Sequence, residues 1–402
     1  MTINKDAFAA ADEPGLNQDK DFEKSSARLA RNASVVAGAT LISRFLGFIR
    51  DLIIAFTLGA GPVADAFFVA FRLPNLLRRL FAEGSLTMAF VPVFTRTRND
   101  HGTRQAFILA RSVQLWIIII VGGITLLAVA LASPLTTLIA PGFRTHDQVF
   151  ELAVSLVRIC FPYILFISSV ALCMGILNSM NRFFAPAFAP AVMNLTLIVF
   201  ALAAHYSGWN VAYGLALGVI FSGLFQWLFQ LPFLTRCGFS WTGPFEMFHP
   251  GIIRMGRLML PTVLGAAVYQ LNILLGTVLA SFLPRGSISY LYYADRLVQL
   301  PLGVFAVAIS TAALPSLSAL AGKGDISGFK KTLNHSLGLT LFIALPCTAG
   351  LMGMSQPLID IVFGRGEFQE QAVQATAAAL VGYAAGLPAF SCVRPLVSAF
   401  FA

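Results

Sequence analysis

Between Thr40 and Glu83 the chain sets Arg44, Arg50, Asp51, Asp65, Arg72, Arg78, Arg79 and Glu83 among Phe, Leu, Ile and Ala. The short connection Gly59-Ala60-Gly61-Pro62 divides this stretch into two helices of membrane length. A cation at the bilayer centre costs about 2.5–3.5 kcal/mol even on the lenient insertion scale. Arginines repeated on two neighbouring helices therefore need a partner other than lipid. The chemistry they suit is anion recognition, because a guanidinium is permanently charged and its paired donors match phosphate oxygens. A low-dielectric hollow strengthens each such contact over its value in water.

Helix geometry gives these residues a direction. At about 100° per residue, with Ser43 as zero, Arg50 falls near −20°, Gly47 near 40°, Thr40 near 60°, Asp51 near 80° and Arg44 near 100°. The polar residues of the first helix thus share one wedge, about a third of the circumference. Asp65, Arg72, Arg79 and Glu83 align along the second helix, with Asn75 beside them. Pro74 removes an internal hydrogen bond and kinks that helix, which leaves the directions of Arg78 and Arg79 open. Facing each other across water, the two stripes make a cationic cavity. The plainer alternative is ion pairing within the helices, Arg50 with Asp51 and Arg72 with Asp65, or snorkelling of arginines near helix ends. Asp51, Asp65 and Glu83 read as groups that position and partly neutralise the arginines, with proton or cation binding as the alternative. Further along, Asp295-Arg296 follows Tyr290, Tyr292 and Tyr293, which read as an interfacial aromatic belt. Arg296 either pairs with Asp295 on its own helix or faces Arg44 and Arg50.

The bulk composition says what must hold these residues. The chain has 402 residues, 57% hydrophobic and 11% charged, with a mean hydropathy of +0.79. Soluble domains are about 25% charged, so the reading is an integral membrane protein. The net charge of +9 does not imply nucleic acid, because the basic residues divide between loop ends and helix interiors. Cys160, Cys173, Cys237, Cys347 and Cys392 are scattered and form no CxxC pair, and the histidines are isolated, so neither a disulfide framework nor a metal site is indicated. A phosphate-binding glycine loop is also lacking, which argues against direct ATP use.

Residues 1–31 are polar, mixed in charge and without the apolar core of a signal peptide, and are expected to form a disordered cytoplasmic tail. Spans of about 20 residues or more follow near 32–57, 66–95, 111–133, 150–178, 187–206, 210–234, 257–283, 288–320, 332–354 and 372–400. Lys and Arg crowd the loops on the side of the N-terminus, leaving Arg144, Arg285 and Arg365 opposite, which places both ends of the protein inside. An internal repeat is present. Ala-Phe-Val-Pro at 89–92 answers Ala-Ala-Leu-Pro at 312–315, and Ser-Pro-Leu-Thr-Thr-Leu-Ile at 133–139 answers Gln-Pro-Leu-Ile-Asp-Ile-Val at 356–362, both 223 residues on. Phe-Arg-Leu at 71–73 answers Asp-Arg-Leu at 295–297 one residue out of register. Copies with an even number of helices share an orientation and are related by an axis along the membrane normal, a transporter plan with its site between the halves. The second copy stops at Ala402, the counterpart of residue 179, so the second lobe is expected to be incomplete through truncation at the C-terminal end.

Ser43-Arg44-Phe45-Leu46-Gly47-Phe48-Ile49-Arg50-Asp51 resembles the helix 1 motif of the MurJ/MviN family, and Asp65-Ala-Phe-Phe-Val-Ala-Phe-Arg-Leu-Pro-Asn-Leu-Leu-Arg-Arg-Leu-Phe-Ala-Glu-Gly84 its helix 2. Ala140-Pro-Gly-Phe143, Phe161-Pro-Tyr-Ile164, Asn181-Arg-Phe183, Ala187-Phe-Ala-Pro190 and Tyr292-Tyr-Ala-Asp-Arg-Leu297 extend the likeness over about residues 32 to 402. The resemblance implies a member of the multidrug/oligosaccharidyl-lipid/polysaccharide (MOP) exporter superfamily that flips lipid II, the undecaprenyl-diphosphate-linked peptidoglycan precursor. It implies Ser43, Arg44, Arg50, Asp65, Asn75, Arg78, Glu83 and Arg296 as substrate-binding residues, and favours Arg78 over Arg79. Family members usually have fourteen helices, the last pair forming a groove for the lipid tail, and helices 11 to 14 lie outside this sequence.

The expected fold is an all-α polytopic membrane protein of MOP flippase type, with two parallel-repeat helical lobes, about ten transmembrane helices and an incomplete second lobe. The expected divisions are a tail (1–31), an N-lobe (32–234), a cytoplasmic interlobe linker (235–256) and a partial C-lobe (257–402). The expected function is flipping of the lipid-linked diphosphate by alternating access, without covalent chemistry, metal or cofactor, and driven by membrane potential or an ion gradient. A cation or drug antiporter of the same superfamily and an inactive truncated remnant are the alternatives. The expected partners are the lipid substrate, membrane lipids and the cell-wall synthesis machinery, with no nucleic acid, for a monomer in the bacterial inner membrane.

Overall fold

Long apolar runs can satisfy their backbone in lipid only within a helix or a closed barrel, and every regular element of this protein is helical among the described residues. The computed structural model describes residues 14–79 and 86–402, with side chains from Arg31 onward except at Asn32 and Tyr269. The helices are α1 (Pro14–Leu58), α2 (Pro62–Leu77), α3 (Leu86–Ala130), α4 (Ala132–Ile139), α5 (Asp147–Cys160), α6 (Tyr163–Ser179), α7 (Phe184–Tyr206) and α8 (Val211–Arg236). They continue as α9 (Pro250–Ser281), α10 (Ser287–Pro301), α11 (Val307–Gly322), α12 (Ile326–Gly353), α13 (Ser355–Phe363) and α14 (Glu370–Phe401).

Among the described residues, eight helical stretches are long and apolar enough to cross a membrane, from Leu86–Ala130 to Glu370–Phe401. These correspond to the third to tenth expected spans. The first expected span falls on the charged half of α1, and the second, 66–95, covers most of α2 and the start of α3, with residues 80–85 between them outside the described residues. The expected tail also differs. Helix α1 runs back to Pro14, which takes the first-turn position where a missing N–H costs nothing. Extending a helix already nucleated by packing is far easier than starting one, so a polar segment that includes the good helix formers Lys20, Glu23, Lys24, Ala27, Arg28 and Ala30 continues it. Residues 1–13 lie outside the described residues.

The segments matched by the repeat occupy elements of the same kind. Residues 71–73 lie in α2 and 295–297 in α10, while 133–139 and 356–362 form the short helices α4 and α13. Pro92 and Pro315 both lie inside helices. Helix α3 breaks at Gly102 (φ 84°), and the corresponding break between α11 and α12 falls at Gly324 (φ 70°). Both glycines hold left-handed backbone that a side chain would strain.

Packing sorts the helices into two sets. Helix α1 lies along α7, α7 along α8, α6 against α3 and α8, and α2 against α5; separately, α14 packs on α10, α11, α12 and α13. Close approach in the first set depends on small residues. A Cβ on Gly214 of α8 would lie 2.5 Å from that of Ala204 on α7. Helix α9 departs from the lobe assignment. It packs chiefly along α3 and touches α10 little, while Leu260, Leu264, Val268, Leu271, Leu275 and Leu279 stay exposed as an apolar stripe.

The segment between α8 and α9 explains that position. Arg111 on α3 donates to the carbonyls of Ser240 (2.8 Å) and Pro244 (3.1 Å), and Trp116 to that of Met247 (2.9 Å). Ser112 Oγ accepts from the Glu246 amide at 2.8 Å, and Phe239 sets its ring edge-on to Phe107. The linker is thus strapped to α3 before α9 begins. His249 then caps α9, Nδ1 accepting from the Gly251 amide at 3.1 Å. Burial pushes His249 below the ordinary histidine value. Its neutral, capping form contributes stability above the unfolded-state value, and that contribution is lost as the pH falls through the folded-state value. Acidification should therefore lower the hydrogen-exchange protection factor of the Gly251 amide, measured against its intrinsic rate at each pH, and His249→Asn, which keeps a capping acceptor, should abolish that pH dependence.

Candidate functional site

The polar wedge of α1 meets α7 on one side and α10 on the other. Gly47 leaves room for Asn194 of α7, whose Nδ2 would lie 3.3 Å from any added Cβ. Asn194 donates to the Ser43 carbonyl (2.9 Å) and its Oδ1 accepts from Arg50 Nη1 (2.9 Å). The other side of the Arg50 guanidinium turns to Asp51, with Nη2 to Oδ1 at 2.6 Å and Nε to Oδ1 at 3.0 Å. The same carboxylate accepts from Tyr292 Oη at 2.9 Å and lies 3.3 Å, through Oδ2, from Arg296 Nε. Arg296 in turn covers the Tyr292 ring at 4.5 Å, the geometry of a cation–π contact. Asp51 therefore holds cations from α1 and α10 together, and its own residue is only 3% exposed.

This differs from the open hollow expected from sequence. At the level of Asp51 the arginines are knit together, with side-chain exposure of 13% for Arg50 and 30% for Arg296. The structure combines the two sequence readings. Arg50 does pair with its neighbour Asp51, and Arg296 does turn toward α1. Asp295 instead accepts from Gln299 one turn on. Exposure rises away from this level, since Arg44 and Thr40 on α1 are exposed, as are Gln299 and Leu300 on α10. The two helices thus part toward the end that carries the N-terminus. Arg44 lies on the same side of α1 as Asp51, two turns away, and has no hydrogen bond or ion pair among the described residues.

Arg72 of α2 is held by α9, and Arg78, just past the end of α2, by Asn75. Arg72 does not pair with Asp65; its Nη1 donates to Thr277 Oγ1 (2.7 Å) and more weakly to the Ile273 carbonyl (3.4 Å), both on α9. It lies in the combined field of Asp295, Arg296, Tyr292 and Tyr383. Arg78 donates from Nε and Nη2 to Asn75 Oδ1, at 3.0 and 2.9 Å, just past the Pro74 kink. Arg79 is exposed, and Glu83 lies outside the described residues.

Asp65 serves elsewhere. It is 3% exposed and accepts from the backbone amides of Gly286 and Ser289, each at 2.7 Å, and from Ser289 Oγ at 2.8 Å. Those amides open α10, where the helix dipole favours a negative charge. Sequence spacing pairs Asp65 with arginines of its own helix; the preorganised donors of a distant helix start satisfy it instead. Around it, Tyr293 donates to the Gly59 carbonyl (3.2 Å), the Gly61 amide to Ser289 (3.1 Å) and the Glu367 amide to the Phe56 carbonyl (3.0 Å). These bonds tie the α1–α2 turn to both the start of α10 and the α13–α14 turn. Tyr292 and Tyr293 are therefore internal donors and not an interfacial belt. Sequence reasoning misses Asn194, Thr277 and Ser289. Asn194 does carry a signal, as an amide within the apolar run Ala191-Val-Met-Asn-Leu195; the hydroxyls carry none.

Comparison with known proteins places this geometry. The family model described as lipid II flippase MurJ matches residues 54–402. A Vibrio cholerae protein named probable lipid II flippase MurJ is 38% identical over 94% of this chain and 73% of its own length. The lipid II flippase MurJ of Burkholderia cenocepacia is 37% identical over 93% of this chain and 73% of its own. Among solved structures, a lipid II flippase MurJ in an inward closed conformation superposes with a TM-score of 0.77 at 28% identity, over 91% of this chain and 75% of that one. An inward-facing multidrug MATE transporter of the MOP superfamily superposes at 0.66 with 16% identity, over 88% of this chain and 81% of that one, a likeness of fold.

Two outcomes follow from the site. Asp51→Asn leaves Arg50 and Arg296 without their shared counter-charge, and thermal unfolding should show a loss of about 3–5 kcal/mol, the cost of breaking a buried pair. Asp65→Ala strips the acceptor from two buried amides at about 1–3 kcal/mol for each unsatisfied group, and hydrogen exchange at Gly286 and Ser289 should accelerate while that at Asn194 does not.

Proposed function

The chain belongs to the lipid II flippase MurJ family, and on that basis we propose that it carries lipid II across the bacterial cytoplasmic membrane as a transporter. The observation that carries the proposal is the meeting of Arg50 and Arg296 on one carboxylate between the two helix sets. Among the described residues, Arg72 beside them is bound to neutral oxygens, and Arg44 at the exposed end has no hydrogen-bond or ion-pair partner. With two positive charges on Asp51 and others nearby, the region keeps a surplus of cation that a diphosphate can neutralise.

In this reading the two helix sets are parallel-repeat lobes of about ten spans in all, with the second incomplete within this sequence. The N-terminus is cytoplasmic. Ser43, Arg44, Arg50, Asn75, Arg78 and Arg296 face the headgroup, Glu83 adjusts their charge, and Asp65 acts at the closed end. The diphosphate enters from the side of Arg44, exchanges places with Asp51 on Arg50 and Arg296, and draws the lobes into a new angle. The sugar–peptide head crosses between the lobes while the polyprenyl tail stays in lipid. Membrane potential or an ion gradient biases the rocking.

Binding tests this directly. Undecaprenyl diphosphate should bind the detergent-solubilised protein more tightly than undecaprenyl monophosphate. Arg50→Gln should weaken the diphosphate by roughly 10- to 100-fold, as expected for one charge-assisted hydrogen bond. Equal affinity of the variant and the parent for the diphosphate would remove Arg50 from the site.

A further inference from the structure

On the face of α1 turned away from Asp51, a hollow of about 270 Å3 lies between α1, the α6–α7 turn and the end of α8. Arg31, Arg182 and Arg236 reach it from three separate elements, and no carboxylate lines it among the described residues. Among those residues none of the three guanidiniums has an acidic partner. Arg236 instead lies over the Phe233 ring at 5.8 Å. The turn that presents Arg182 is held in place, since Asn181 adopts a left-handed φ of 58° and the Arg182 amide donates to the Leu177 carbonyl at 2.8 Å. Three like charges directed at one small hollow repel each other unless an anion sits among them.

Depth identifies the anion. Arg182 stands just before Phe184, the first residue of one candidate membrane span, and Arg236 is the last residue of the next. The guanidiniums therefore sit where phospholipid headgroups lie. Below them a ladder of rings descends between α7 and α8. Phe184 and Phe188 are 5.5 Å apart, Phe188 and Phe229 5.7 Å, and Phe229 and Phe233 5.4 Å. Phe184 is 45% exposed, so this surface faces the acyl region. Cationic hollows between transmembrane helices at the headgroup level suit phosphate-bearing lipids.

We propose that this hollow binds an anionic glycerophospholipid, its phosphodiester held by Arg31, Arg182 and Arg236 and one acyl tail laid along the Phe184–Phe188–Phe229–Phe233 ladder. The site is separate from the diphosphate site. Arg31 lies about 160° around α1 from Asp51, and α1 itself stands between the two. The inference does not depend on the transport reading.

Native mass spectrometry of the detergent-solubilised protein tests it, with phosphatidylglycerol as ligand and phosphatidylcholine as the zwitterionic control. Phosphatidylglycerol should be retained more tightly than phosphatidylcholine. The double variant Arg182→Gln/Arg236→Gln should weaken that retention by roughly 10- to 30-fold. It should leave phosphatidylcholine retention, the melting temperature and binding of undecaprenyl diphosphate unchanged. Should the double variant melt early, Arg182→Gln alone, on an exposed turn, gives the same reading with a smaller drop. The proposal is overturned by equal retention of the two lipids, or by unaltered phosphatidylglycerol binding in the variants. Displacement of the lipid by millimolar inorganic phosphate would also overturn it, by revealing a free-anion site. A parallel fall in undecaprenyl diphosphate binding would do the same, by making the hollow part of the substrate path.

Discussion

A single carboxylate governs the meeting of α1 and α10. Asp51 sits between Arg50 and Arg296, takes a third contact from Tyr292, and is almost fully enclosed. Without it, two cations from different helices would face each other in a poorly screened interior, where repulsion is several times stronger than in water. With it, the helices are joined by an interaction that any stronger anion can contest. Buried ion pairs of this kind add little net stability compared with apolar packing. Their usefulness lies in being conditional, since the partner can be exchanged while the helices remain intact.

The two ends of the α1–α10 contact are built on different physics. Beyond Gly59 the seal consists of backbone amides and carbonyls, of Asp65 at a helix start, and of the rings of Tyr293, Phe363 and Phe368 packed together. Toward Thr40 the same helices carry exposed side chains and few bonds across the gap. One end is held by short, directional bonds; the other carries exposed side chains, Arg44 among them. In the transport reading proposed above, an exchange between the helix sets dissolves the first and closes the second.

Much of this arrangement was legible in the residues. The placement of Arg50 and Asp51 on one wedge of α1 followed from helical spacing, and the repeat paired the two segments that fold as the short helices α4 and α13. Spacing gives the direction of a side chain but not its partner. Asp65 and Arg72 look like an ion pair along α2, yet each is satisfied by groups more than 200 residues away in sequence. The tyrosines after Ser289 have the composition of an interfacial belt, and only tertiary packing shows their hydroxyls turned inward. The lobe assigned to α9 followed the repeat register, whereas its neighbour is decided by the linker bonds of Arg111, Trp116 and Ser112 on α3.

Fastening α9 to α3 has a mechanical consequence. The first helix set carries α9 as a passenger, and the backbone passes to the second set only through the elbow Phe282–Gly286. Any torsion between the sets concentrates in that elbow, which contains Pro284 and the left-handed Gly286. The Gly286 amide is also the donor that Asp65 holds. Twisting the elbow and unhooking the seal are therefore one movement, and the latch is mounted on its own axle.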